Sequence, residues 1–88
     1  VPVFITENVL DSGTSRPVGK NMEHLKLDLI EPTSTSSQFS GIAFNQAQHF
    51  ESINQGLPFD ICYSIAENEF RGKTNLQLHI RYITTKSY

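Results

Sequence analysis

Gln46-Ala47-Gln48-His49-Phe50-Glu51-Ser52-Ile53-Asn54 is the stretch on which the fold turns. Ala47, Phe50 and Ile53 recur every third residue, so they share one face of a short helix, with Asn45 as its N-cap candidate and Gly56 past its end. On either side the period is two. Upstream, Phe39-Ser40-Gly41-Ile42-Ala43-Phe44-Asn45 reads as a strand with Ile42 and Phe44 inward, Phe39, Gly41, Ala43 and Asn45 outward, and Gly41 as a point of bend or bulge. Downstream, Phe59, Ile61, Tyr63 and Ile65 alternate with Asp60, Cys62, Ser64 and Ala66.

Farther out the same period holds. Leu25, Leu27 and Leu29 alternate with His24, Lys26 and Asp28, which predicts a strand that buries its leucines and turns the three polar residues to the other face. Near the C-terminus Leu76, Leu78, Ile80 and Tyr82 alternate with Asn75, Gln77, His79 and Arg81. The β-branched run Val3 to Leu10, closed by the turn cluster Asp11-Ser12-Gly13, supplies a first strand. Three connections complete the chain: Arg16 to Asn21, a Ser/Thr-rich loop over 31–38, and a turn over Glu67 to Lys73. Phe4, Phe44, Phe59, Tyr63 and Tyr82 fall in the inward set and are expected in the core.

Three strands, one short helix and two strands, without an internal repeat, describe an all-β domain of small α content. The arrangement fits a five-stranded Greek-key OB-fold barrel with its helix between strands three and four. The other reading is a different small barrel such as an SH3-like one, in which the helix would be a loop. Eighty-eight residues make one domain over 1–88, with 84–88 expected to fray.

Composition narrows the function classes. Hydrophobic residues form 38% of the chain, enough for one modest core and above the range of disordered sequences. The single cysteine, Cys62, has no intramolecular partner, no apolar run approaches the roughly 18 residues that cross a bilayer, and no basic-then-apolar leader is present. We therefore expect a soluble domain in the reducing cytoplasm, with no membrane partner. The opening Val1-Pro2-Val3 lacks an initiator Met, which leads us to expect a segment of a longer polypeptide. His24, His49 and His79 sit on three different elements without metal-motif spacing, and Glu67 and Glu69 read as the solvated rim of a turn, so no metal site, cofactor or catalytic residue is expected here.

A formal charge of −2 argues against binding a polyanion by bulk charge, so any such role must come from placement. In an OB barrel the ligand surface is the outer side of strands two and three, walled by the loops joining strands one to two and four to five. Arg16 and Lys20 fall in the first loop, Lys26 on the outer face of strand two, and Arg71 and Lys73 in the second loop. Arg81 and Lys86 extend the set: residues 71–88 hold four cations and no carboxylate. Such a patch attracts phosphate and releases counterions. Phe70 in the second loop and Phe39 on the outer face of strand three are the candidates for stacking a base, and the outward His24 and His79 could stack or bond phosphate.

Val18-Gly19-Lys20 leading to His24-Leu25-Lys26-Leu27, then Gly41-Ile42-Ala43-Phe44-Asn45, Phe59-Asp60-Ile61 and Asn68-Glu69-Phe70-Arg71-Gly72-Lys73-Thr74-Asn75-Leu76-Gln77-Leu78, resembles the OB domain of the bacterial RecJ exonucleases over nearly the whole chain. The chain departs from that pattern at Tyr82, where the family often has an acidic residue, and at Phe70, where it frequently has Trp. The resemblance implies a parent protein that degrades single-stranded DNA from a five-prime end in recombination and repair, using manganese or magnesium held by DHH-type catalytic domains whose motifs are absent here. It implies that this domain holds and orients single-stranded DNA, through His24 and Lys26 of the strand motif and Phe70, Arg71 and Lys73 of the turn. Its other implied partner is the parent's set of catalytic domains; single-strand-binding protein is a candidate partner for a docking role. The alternative of a different class is a docking module with little DNA contact of its own.

Overall fold

The alternating leucines of the second sequence strand decide how the sheet closes, because burying Leu25, Leu27 and Leu29 requires neighbours on both edges. The computed structural model describes residues 2–32 and 37–85, apart from the side chains of Ser37, Asn68 and Phe70. Within them β1 (Phe4–Asp11), β2 (Arg16–Val18), β3 (His24–Glu31), β4 (Ser37–Ala43), β5 (Phe59–Phe70) and β6 (Lys73–Thr85) form one sheet. A 3₁₀ turn, Ala47–His49, runs into the single-turn helix α1 (Phe50–Ile53) between β4 and β5. The sheet order β1-β5-β6-β4-β3 closes through Leu10↔Ile30 and Asp11↔Leu29, with β4 and β6 parallel and the other barrel pairs antiparallel. This is the OB-like barrel expected from the sequence, and it has one strand more than expected. Arg16–Val18, read as connection, pairs with the free end of the β3 edge that β1 does not reach. Pro17 is tolerated there because its missing N–H costs nothing at a sheet edge.

Val9, Leu25, Leu27, Leu29, Ala43, Ile53, Phe59, Ile61, Ile80 and Ile83 form the core. Ile53 enters from α1, with Phe50 half-buried beside it, as the threefold spacing of the helix predicts. Each fully buried Leu, Ile or Phe contributes about 1.5–3 kcal/mol relative to exposure.

The inward phase of β4 is opposite to the expectation. Leu25↔Ala43, Leu27↔Gly41 and Leu29↔Phe39 are cross-strand pairs, so the leucines carry Phe39, Gly41 and Ala43 inward and leave Ser40 and Ile42 on the outer face. Gly41 is a point of close approach rather than a bulge: a Cβ there would lie 3.0 Å from Ile80 Cδ1 and from the Leu78 carbonyl oxygen. Phe39 is half-buried against the core, and Phe44 stands at the surface, 52% exposed.

The bulges lie in β1 and β6 instead. Cys62 pairs with Tyr82 and Tyr63 with Ile80, so β6 gains one residue, and Ile83 replaces Tyr82 as the next buried position. Tyr82, expected in the core, is 69% exposed. A similar slip between Thr6 and Val9, where Asn8 has φ 60° and its N–H donates to Asp60 Oδ1 at 3.0 Å, leaves Phe4 at the surface against Tyr63, with ring centroids 5.9 Å apart. At the far end β5 and β6 run on past the barrel as a two-stranded arm. Its turn is Arg71-Gly72 alone, with φ 53° and 76°, the two positive values of a type I′ hairpin. Thr84 and Thr85 pair with Asp60 and Phe59, while 86–88 and most of the Ser/Thr loop lie outside the described residues.

Candidate nucleic-acid interface

The outer face of β3 is built by the same alternation that fills the core. His24, Lys26 and Asp28 each project opposite a buried leucine, and strand pairing sets them in rows that cross the sheet. Arg16↔Lys26, Lys26↔Ile42 and Ile42↔His79 align four residues from β2, β3, β4 and β6. Directly opposed pairs are about 5 Å apart, so Arg16 and Lys26 form one cationic spot. Their mutual repulsion is offset on one side by Asp28, two residues further along the same face of β3.

Beside this row lies a cluster of rings. Phe44 meets His24 edge-on at 5.2 Å between centroids and 78°, and meets His79 at 5.6 Å and 84°. Such T-shaped contacts are a favoured aromatic geometry and hold the phenyl group upright. His24 is in turn fixed by the backbone: the Asn45 N–H donates to its Nδ1 at 3.0 Å. The ring proton therefore sits on Nε2, which faces Glu23 Oε1 at 3.2 Å. Asn45 makes this bond from the left-handed region, φ 57°, where Asn is tolerated. The Glu23 carboxyl is held below its ordinary pKa by its own backbone N–H, by the Asn21 N–H at 2.8 Å, and by His24.

On the other side of Phe44 a shallow groove is lined by Gln46, His79, Ile80, Arg81 and Tyr82. The bulge in β6 turns Tyr82 out into it, and the Gln46 amide donates to the Ile80 and Arg81 carbonyls at 3.0 and 3.2 Å, tying the helix approach to β6. Arg81 is exposed and its Nε donates to Ser64 Oγ at 3.3 Å. The assembly offers two exposed rings and two imidazoles, with the Arg16 guanidinium and Lys26 ammonium on one flank and the Arg81 guanidinium on the other.

Of the residues singled out in the sequence, Arg16, His24, Lys26 and Arg81 lie on this face, and Lys20 is exposed in the β2–β3 turn. Arg71 and Lys73 are at the arm's tip. Lys73 is six steps along β6 from His79, or about 20 Å of strand at 3.3 Å each. Phe39 is drawn inward by Leu29, and the side chain of Phe70 lies outside the described residues. The alternation of their strands alone predicts Phe44 and Tyr82 in the core. The Leu25/Ala43 pairing and the Ile80 to Ile83 spacing of three are the signals that place them outside.

An outer face of this kind on a five-stranded barrel is where OB folds bind oligonucleotides. Residues 1–82 match the family described as the RecJ OB domain. The chain belongs to that family. This RecJ OB domain is 38% identical over 71 residues to the single-stranded-DNA-specific exonuclease RecJ of Haemophilus influenzae, an alignment that takes in 77% of this chain and 12% of that protein. The domain thus spans about an eighth of the curated relative it matches. Among its described residues no three His, Cys, Asp or Glu side chains are grouped to hold a metal ion, and no helix is long and apolar enough to cross a membrane.

Proposed function

We propose that this domain binds single-stranded DNA across the outer face of β3, β4 and β6 and positions it for the catalytic domains of a RecJ-like five-prime to three-prime exonuclease acting in cytoplasmic DNA recombination and repair. The observation that carries the reading is Phe44, half exposed and held edge-on by His24 and His79, between the Arg16/Lys26 spot and Arg81. Stacking a base on an aromatic ring contributes about 1–3 kcal/mol, and cations beside it neutralise the phosphates that follow. Hydrolysis, with its manganese or magnesium, belongs to the rest of such an enzyme; the domain's own groups bind and orient. Titration of the 88-residue chain with a fluorescent single-stranded oligonucleotide tests this. Salt-sensitive binding that weakens in Phe44→Ala supports it, and binding that is absent at low salt, or indifferent to Phe44, contradicts it.

A second reading has an observation of its own. Ile65 and Leu76 lie on the same face of the β5–β6 ribbon, Ile65 level with the last β4–β6 pair and Leu76, 70% exposed, two residues farther out along the arm. An apolar surface there favours docking on the nuclease core or on a repair partner such as single-strand-binding protein. Restored activity of a truncated nuclease on adding a domain that has no DNA affinity would favour docking over DNA binding.

A further inference from the structure

We infer that the recess around Asp28 is a base-reading pocket that takes the amino-bearing edge of one nucleobase, cytosine or adenine in preference to thymine. The inference rests on the DNA-binding reading above and deepens it by assigning a specificity site. The recess lies on the outer face and is lined by Ser12 and Thr14 from the β1–β2 loop, Asp28 on β3, and Gln38 and Ser40 on β4, with Leu29 and Phe39 at its margin. It adjoins the cationic row directly. Asp28 follows Lys26 by two residues on the same face, about 7 Å along the strand, so a strand whose phosphates sit on Arg16 and Lys26 brings its next base to the recess.

The polar groups converge on a carboxylate that is held rigid. Thr14 Oγ1 donates to Asp28 Oδ2 and Ser40 Oγ to Oδ1, each at 2.7 Å. Ser15 Oγ accepts from the Asp28 N–H at 2.9 Å, and the Asp28 carbonyl accepts from the Ser12 N–H at 2.9 Å. Both carboxylate oxygens thereby use one lone pair on a hydroxyl and keep another for an incoming donor, since an ionised carboxylate offers about four acceptor sites. The two hydroxyls spend their protons on Asp28 and so present lone pairs. The floor of the recess is therefore an acceptor surface.

That chemistry selects. The carboxylate repels phosphate and welcomes an N–H donor: carboxylates accept from the cytosine N4 amino group, and adenine carries N6. Thymine has no amino group: its one ring donor, N3–H, lies between O2 and O4, and those two oxygens would meet the acceptor floor with no proton of their own to give. A single strand exposes these base edges without a duplex to open. Gln38, exposed at the wall, supplies both a donor and an acceptor amide for the rest of the edge.

The test compares length-matched dC12 and dT12 at one salt concentration against the 88-residue chain and its Asp28→Asn variant, and titrates both proteins with deoxycytidine and thymidine while following the backbone amides of Thr14 and Ser40 by NMR. We expect dC12 to bind about fivefold tighter than dT12, the ratio to fall to about one in Asp28→Asn, and deoxycytidine alone to move the Thr14 and Ser40 signals. Gln38→Ala, at an exposed position, covers the case in which Asp28→Asn does not fold, and should reduce the same ratio. Equal affinities in the unmodified chain, or a preference unchanged in both variants, would overturn the pocket while leaving DNA binding at Phe44 standing. Neither oligonucleotide binding nor any nucleoside shift would overturn both.

Discussion

The Asn45 backbone N–H donates to His24 Nδ1 across the mouth of β3 and β4, and the ring it fixes is the one that meets Phe44 edge-on. Asn45, in the left-handed region, thus sets through His24 the orientation of the exposed phenyl group of its own neighbour Phe44. In the proposed interface His24 is a positioning residue and Phe44 the contact.

Phe44 and Phe59 should therefore separate binding from stability. Phe44→Ala removes a ring outside the core, so thermal stability should change little while affinity for an oligonucleotide falls by the equivalent of one stacked base, about 1–3 kcal/mol. Phe59→Ala empties a fully buried position and should cost about 3–5 kcal/mol of folding free energy in a denaturant titration.

Charge at the arm's tip can be removed without harming its turn. Arg71 occupies a positive-φ position that Asn adopts more readily, so Arg71→Asn should keep the backbone geometry of the turn while removing the charge. If DNA reaches the tip, the slope of log affinity against log salt should fall by about 0.7, the contribution of one phosphate contact to a single strand. Lys26→Gln should produce the same loss from the centre of the face.

Gly41→Ala tests the parallel seam. The added methyl would stand 3.0 Å from the Leu78 carbonyl oxygen, a backbone atom that cannot rotate away, and from Ile80 Cδ1. Overpacking of this kind costs about 1–3 kcal/mol, to be read as a lowered denaturation midpoint. A neutral result would mean that β4 and β6 are not apposed as described.

The Asp28 carboxyl is held below its ordinary pKa of about 3.9 chiefly by the Ser40 hydroxyl, then by Thr14, with Lys26 and Arg16 adding to the effect. Because the folded value is the lower one, its stabilisation is complete above about pH 4 and is lost as the pH falls through the folded value. Acid denaturation curves should show a loss of stability below about pH 4 that is smaller in Asp28→Asn.

What could be read from the sequence follows from how each residue pair is packed. The leucines of β3 and the Ala47, Phe50, Ile53 spacing were legible because large apolar groups there stand alone among polar neighbours. The phase of β4 was not, since Gly41 and Ala43 are small for the same reason they are inside: Leu27, Leu25 and Ile80 already fill that space. The bulges of β1 and β6 shift a period of two by one residue, and only the spacing of Ile80 and Ile83 betrays the second. The cationic half of the candidate site was legible at Arg16, Lys26 and Arg81. Its aromatic half at Phe44 and Tyr82 was hidden by those two errors of phase.

The most direct measurement is a map of amide chemical-shift changes on the ¹⁵N-labelled chain as a short single-stranded oligonucleotide is added. The account predicts that the shifts gather at His24, Lys26, Ile42, Phe44, His79 and Arg81, and that they fade as salt is raised. Shifts confined to the arm around Ile65 and Leu76, or no shifts at low salt, would contradict it.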